Sequence, residues 1–179
     1  GNFNLNDVII NISDKLIKRH PHVFNKSDRI NNLDNKENWE LQKYKDKNRN
    51  SILDGVPNIL PSIITAQRIQ EKASMSGFDW ENIQFVWDKF NEEVNELKVA
   101  QESGVQENIQ EELGDLLFTI INLSRFMNVS SENALRKSNK KFINRFKLLE
   151  KKVKSLDKKV NDLSIDELDQ IWEEVKKPN

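Results

Sequence analysis

Cysteine is absent from this chain, which removes disulfides, thiolate catalysis and cysteine-ligated zinc together. Histidine is nearly absent too. His20 and His22 are the whole complement, leaving almost no room for a histidine metal site or a Ser-His-Asp triad. No apolar run approaches the roughly 20 residues of a membrane span. The opening stretch GNFNLNDVIINISDKLIKRHPHVFN carries no signal-peptide pattern. A soluble, cytoplasmic protein with no membrane partner is the expectation. An excess of charge of one sign is also missing: 28 Lys+Arg stand against 29 Asp+Glu, for a net charge of −1. No bulk field points to nucleic acid, so any electrostatic function is local.

Glycine and proline are scarce, with five and four residues, and no proline lies between Ser62 and Lys177. That region is free to form long helices. Hydrophobic residues make up only 36% and charged residues 32%, which suits helices with thin apolar stripes and broad solvated faces. Periodicity and punctuation predict helices at roughly 5–19, 37–48, 60–75, 80–102, 107–127, 131–154 and 165–176. Pro21 ends the first helix, and Gly77 and Gly104 break the middle ones. Asp79, Ser131 and Ser164 are candidate N-caps, and Ser164 with Glu167 forms a capping-box pattern. No segment alternates with period two, so no sheet is expected and the fold class is all-α.

Composition also shifts along the chain. The segment NKSDRINNLDNKENWELQKYKDKNRN (25–50) is very polar around a lone Trp39 and is expected to be a linker or a frayed surface helix. LDGVPNILP (53–61) then separates it from the main body. A faint internal echo lays ISDKLIKRH (12–20) over SNKKFINRF (138–146), matching Lys15 with Lys141 and Arg19 with Arg145.

The most informative stretch is NEEVNELKVAQESGVQENIQEELGDL (91–116). On the first of its two helices Val86, Phe90, Val94 and Leu97 form an apolar stripe, with Glu93 and Glu96 on its flank beside Lys89. On the second, Ile109, Leu113, Leu116, Ile120, Leu123 and Met127 form the stripe. Glu112 and Asp115 line its flank three residues apart, so they project together. Folded as an antiparallel hairpin about Gly104, the two pairs come level. Four carboxylates near a buried boundary repel one another unless a cation neutralises them, and a hard divalent ion such as Mg²⁺ or Mn²⁺ fits oxygen ligands best. Gly114, costly inside a helix by up to ~1 kcal/mol, suits a close approach to the backbone there. The alternative is a pair of ordinary solvated acidic faces. Redox iron is disfavoured because no histidine lies near either cluster.

In RKSNKKFINRFKLLE, Lys137, Lys141 and Arg145 recur every four residues beside an apolar seam of Phe142, Phe146 and Leu149. This is either an exposed basic face or a grip on phosphate oxygens beside a metal. Trp80 is expected in the core. Trp172, on a short amphipathic terminal helix, is either a docking anchor or a platform for a base.

Taken together, LPSIITAQRIQEKASMSGFDW, VWDKFNEEVNEL, EELGDLLFTIINLSRF, NKKFINRF and IWEEVKK closely resemble the C-terminal catalytic domain of the MazG family. These are nucleoside triphosphate pyrophosphohydrolases with an all-α bundle of four to five helices. The likeness covers about 53–177. It implies a catalytic domain at 53–179, with 1–52 as the tail of an incomplete first repeat plus a polar linker. That reading accounts for the echo. The carboxylate hairpin expected ahead of the tail is not in this sequence, which implies either a piece of a longer protein or a repeat that has lost half its length. By resemblance, Glu93, Glu96, Glu112 and Asp115 are metal ligands and Glu92 is a further acid that helps orient water. Lys89, Asn139, Lys141, Arg145 and Trp172 contact the triphosphate or nucleoside. The implied reaction is Mg²⁺-dependent hydrolysis of a nucleoside triphosphate to monophosphate and pyrophosphate, in a homodimer, with Mn²⁺ a possible substitute. A catalytically inactive helical interaction module and a Mg–NTP sensor are the rival readings.

Overall fold

The computed structural model describes residues 4–19, 24 and 50–176. Among these the secondary structure is helical, with no strand. The helices are α1 (Leu5–Arg19), α2 (Ser62–Met75), α3 (Ile83–Ser103), α4 (Gln106–Phe126), α5 (Ser131–Ser155) and α6 (Ile165–Lys176), with 3₁₀ turns at Ile52–Gly55 and Val160–Asp162. The helix expected at 37–48, with Trp39, His20 and His22, lies outside the described residues.

Contacts divide the chain into two compact units, Gly1–Glu81 and Asn82–Asn179. In the first, α1 is an amphipathic helix on which Ile9, Ile12 and Leu16 are exposed and Val8 is half-buried. The turn at Ile52–Gly55 packs on α2 and is held by a capping box in which Ser51 and Asp54 satisfy each other's backbone. Trp80 is 43% exposed and does not sit in a core.

In the second unit α3 and α4 pack along their length as a hairpin. Gly104 makes the sharp reversal possible. It caps α3 in the left-handed region, with φ +69, where a side chain would be strained. Asn82 starts α3 and its side chain accepts a 2.9 Å bond from the Gln84 amide. Asp79, the expected cap, instead accepts from the Trp80 amide. Likewise Ser130, not Ser131, caps α5. The Ser164–Glu167 capping box forms as its spacing implies. α5 packs mainly on α6, closing a core of Leu149, Val153 and Ile171, and shares only a small seam with α4.

Val86 is fully buried on α3, and Phe90, Val94 and Leu97 are half-buried, in line with the expected stripe. α4 differs. Its buried residues are Thr119, Ile121, Leu123 and Ser124, while Leu113, Ile120 and Met127 of the expected stripe are exposed. The reason is geometric. α3 is the extensive partner of α4 in this unit, and it covers the face running through Glu112, Leu116, Thr119 and Leu123. At Gly114 a Cβ would meet no atom of the described residues within 4 Å, leaving that side of α4 open.

Candidate metal centre

Three carboxylates meet across the hairpin. One oxygen each from Glu93 and Glu96 on α3 and Glu112 on α4 lie within 4.8 Å of one another. Local sequence makes this happen. Glu96 and Glu112 stand eight residues either side of the Gly104 reversal, so an antiparallel pair brings them level.

Burial separates their roles. Glu93 is 3% exposed, Glu112 is half-buried and Glu96 is exposed. Lys89 Nζ stands 2.7 Å from Glu93 Oε1 and donates to Glu92 Oε1 at 2.9 Å. Those two carboxylates hold its ammonium well above the usual lysine range. Among the described residues Glu93 Oε2 is buried without a hydrogen-bond partner. An ionised oxygen in that position is costly unless something positive reaches it. Glu112 titrates above its ordinary value, first through partial desolvation and then through the negative charge of Glu96, Glu93, Glu111 and Asp115. An orphaned buried oxygen, crowded carboxylates and an all-oxygen donor set fit a hard divalent cation.

Asp115 lies one turn beyond Glu112 on α4. It is exposed and stands outside the three-carboxylate group, although its charge is felt at Glu112. Glu92 is exposed and held by Lys89. Asn139 and Lys141 are exposed on α5, and Arg145 is half-buried there. Trp172 packs from α6 onto Phe142, with ring centres 5.2 Å apart, beside the Leu149–Val153 core. It lines an aromatic groove of about 200 Å³ with Phe142, Phe146 and Asp169. A second, open cleft of about 300 Å³ shares Glu96 and Glu112 with the acidic group and adds Asn95, Val99, Ser103 and Asn108. Sequence reasoning singled out none of these four. The one signal was spacing, since Asn95, Val99 and Ser103 follow the Glu96 face of α3 and Asn108 sits a turn before Glu112.

Residues 84–149 match the MazG nucleotide pyrophosphohydrolase domain. The chain is 42% identical over 178 residues to the nucleoside triphosphate pyrophosphohydrolase/pyrophosphatase MazG of Thermotoga maritima, covering 98% of this chain and 67% of that protein. It is 37% identical over 182 residues to the nucleoside triphosphate pyrophosphohydrolase of Escherichia coli K12, covering 99% of this chain and 69% of that one. This chain belongs to the MazG family. It is also 38% identical over 179 residues to the uncharacterized protein YabN of Bacillus subtilis, spanning 37% of that protein. The MazG match takes in the acidic hairpin and Lys141 and Arg145 on α5 and stops short of Trp172. Among the described residues no helix is long and apolar enough to cross a membrane.

Proposed function

We propose that this MazG chain hydrolyses nucleoside triphosphates to nucleoside monophosphates and pyrophosphate. The observation that carries the reading is the buried, unpartnered oxygen of Glu93 within a three-carboxylate group, in a chain whose relatives bear the name pyrophosphohydrolase. Glu93, Glu96 and Glu112 would hold Mg²⁺, or Mn²⁺ in its place, with Asp115 joining from the next turn of α4. A divalent cation bound there supplies positive charge to the triphosphate oxygens and acidifies water.

The chain's own residues do the rest. Glu92, exposed beside the group, orients water and takes up its proton. Lys141 and Arg145, on one face of α5, hold phosphate oxygens, and the Arg fork suits two at once. Asn139 hydrogen-bonds the substrate from the same helix, and the base stacks against Trp172 at the aromatic groove. Water adds to phosphorus, the bond between the first and second phosphates breaks, and pyrophosphate leaves. With no cysteine in the chain and no histidine in the sequence after His22, direct attack by water is favoured over a covalent intermediate.

We also read the catalytic domain as 53–179, the polar N-terminal part as the tail of a first repeat, and the active form as a cytoplasmic homodimer. The dimer is supported by Leu113, Leu117 and Ile120, which α3 leaves exposed on α4, and by the open space over Gly114. A contiguous apolar face beside a helical glycine suits a second helix.

The test is release of monophosphate and pyrophosphate from a panel of standard and modified triphosphates with Mg²⁺, for wild type, Glu96→Gln and Arg145→Ala. Divalent-dependent monophosphate formation that is lost in Glu96→Gln is expected. A folded wild type that yields no monophosphate from any member would favour a Mg–NTP sensor or a non-catalytic module.

A further inference from the structure

Lys89 holds two carboxylates at once, and they are not equivalent. Glu92 and Glu93 follow it by three and four residues on α3, so the helix itself brings both within reach. The Glu92 side chain is 56% exposed and the Glu93 side chain 4%. An ion pair in solvent contributes little, whereas a buried carboxylate without a counter-charge is strongly destabilising. The Glu93 bond is therefore the consequential one, and it makes the two oxygens of that carboxylate unequal. Oε1 sits 2.7 Å from the ammonium, and Oε2 is buried with no partner.

We propose that Lys89 is a positioning residue for the metal centre: by pinning Glu93 Oε1 it fixes the carboxylate and leaves Oε2 as the ligand atom. The proposal rests on the cation reading given above and changes the role that resemblance assigns to Lys89, contact with the triphosphate. An ammonium has three donors, and two are already directed at carboxylates of its own helix. The arrangement parallels outer-shell groups elsewhere, which set the orientation of a ligand they do not share with the metal.

Mn²⁺ binding to the full chain without nucleotide, followed by the electron paramagnetic resonance signal of free Mn²⁺, tests this directly. Lys89→Met should weaken Mn²⁺ binding about tenfold or more, the range found for outer-shell partners. Lys89→Arg, which keeps a cationic donor, should restore it to within a few-fold. If Lys89 only repels the cation, Lys89→Met will bind Mn²⁺ more tightly. If it serves the triphosphate, Mn²⁺ affinity will not change and only KM for the Mg–nucleotide will rise. Either result overturns the proposal. Glu96→Gln run alongside keeps the two readings apart. Loss of Mn²⁺ binding there, with Lys89→Met unaffected, leaves the metal centre standing and refutes the positioning role. A wild type that binds no Mn²⁺ refutes both. Should circular dichroism show Lys89→Met unfolded, Lys89→Gln retains a neutral donor for Oε1 and reads the same equilibrium.

Discussion

Glu93→Gln removes one charge from the acidic group while keeping its shape, and the effect can be worked through as a melting experiment. In wild type, a cation present at 100 times its Kd stabilises the folded state by about 2.7 kcal/mol. One kcal/mol moves Tm by about 2–4 °C in a chain of this size and by more in a smaller cooperative unit. Mg²⁺ should therefore raise Tm by at least about 5 °C. The glutamine cannot ligate through an ionised oxygen. If its Kd is about 100-fold weaker, the same Mg²⁺ concentration contributes only about 0.4 kcal/mol, a shift under about 2 °C.

Without cation, two changes oppose each other. The variant loses the pair with Lys89 but no longer buries an unpartnered charged oxygen near Glu96. Its cation-free Tm should stay near that of wild type, which makes the Mg²⁺-induced shift the informative quantity. Differential scanning calorimetry at constant ionic strength, with a monovalent salt in place of Mg²⁺ as control, reads it. An equal Mg²⁺ shift in wild type and Glu93→Gln would refute the assignment of Glu93 as a ligand, whatever the activity assay shows.

The raised pKa of Glu112 predicts pH dependence in the window upward from its ordinary 4.5. A carboxyl raised on folding contributes stability below 4.5 that is lost as pH rises through the raised value, so the cation-free protein should gain stability on acidification there while Mg²⁺ affinity falls. Calorimetric Mg²⁺ titrations from neutral pH down to 4.5 should show that fall, and Glu112→Gln should flatten it. Ser164→Ala removes the cap of α6 and should cost about 1 kcal/mol, read as a lower urea midpoint by tryptophan fluorescence; an unchanged midpoint would mean α6 is held by its packing alone. Leu117→Glu puts a charge on the exposed apolar face of α4 and should convert the proposed dimer to a monomer in sedimentation velocity; equal sedimentation of variant and wild type would refute this face as a dimer contact.

The helices were legible because punctuation is so sparse that each signal carries weight: Gly104 ends α3, and Ser164 caps the start of α6. Cap identity was less legible. Asp79, Asn82, Ser130 and Ser131 all have capping side chains, and backbone geometry chose Asn82 and Ser130. The hairpin register was legible as well, since Glu96 and Glu112 are equidistant from Gly104.

What periodicity could not supply was the neighbour. It finds apolar residues on α4 at helical spacing without saying what covers them. Leu113 and Ile120 therefore read as core in sequence and stand exposed beside a helix that needs Thr119 and Leu123 for α3. At Gly114 the cost of a helical glycine points to a ligand or another helix close to the backbone, and no other helix among the described residues takes that place. Both features lie on one stretch of α4, the face that the proposed dimer would cover with a second helix. Lys89 shows the complementary limit. Its spacing to Glu92 and Glu93 was visible from the start, yet spacing treats the two alike. Only burial, 4% for one side chain against 56% for the other, makes one contact a surface pair and the other a device that can determine which oxygen meets a cation.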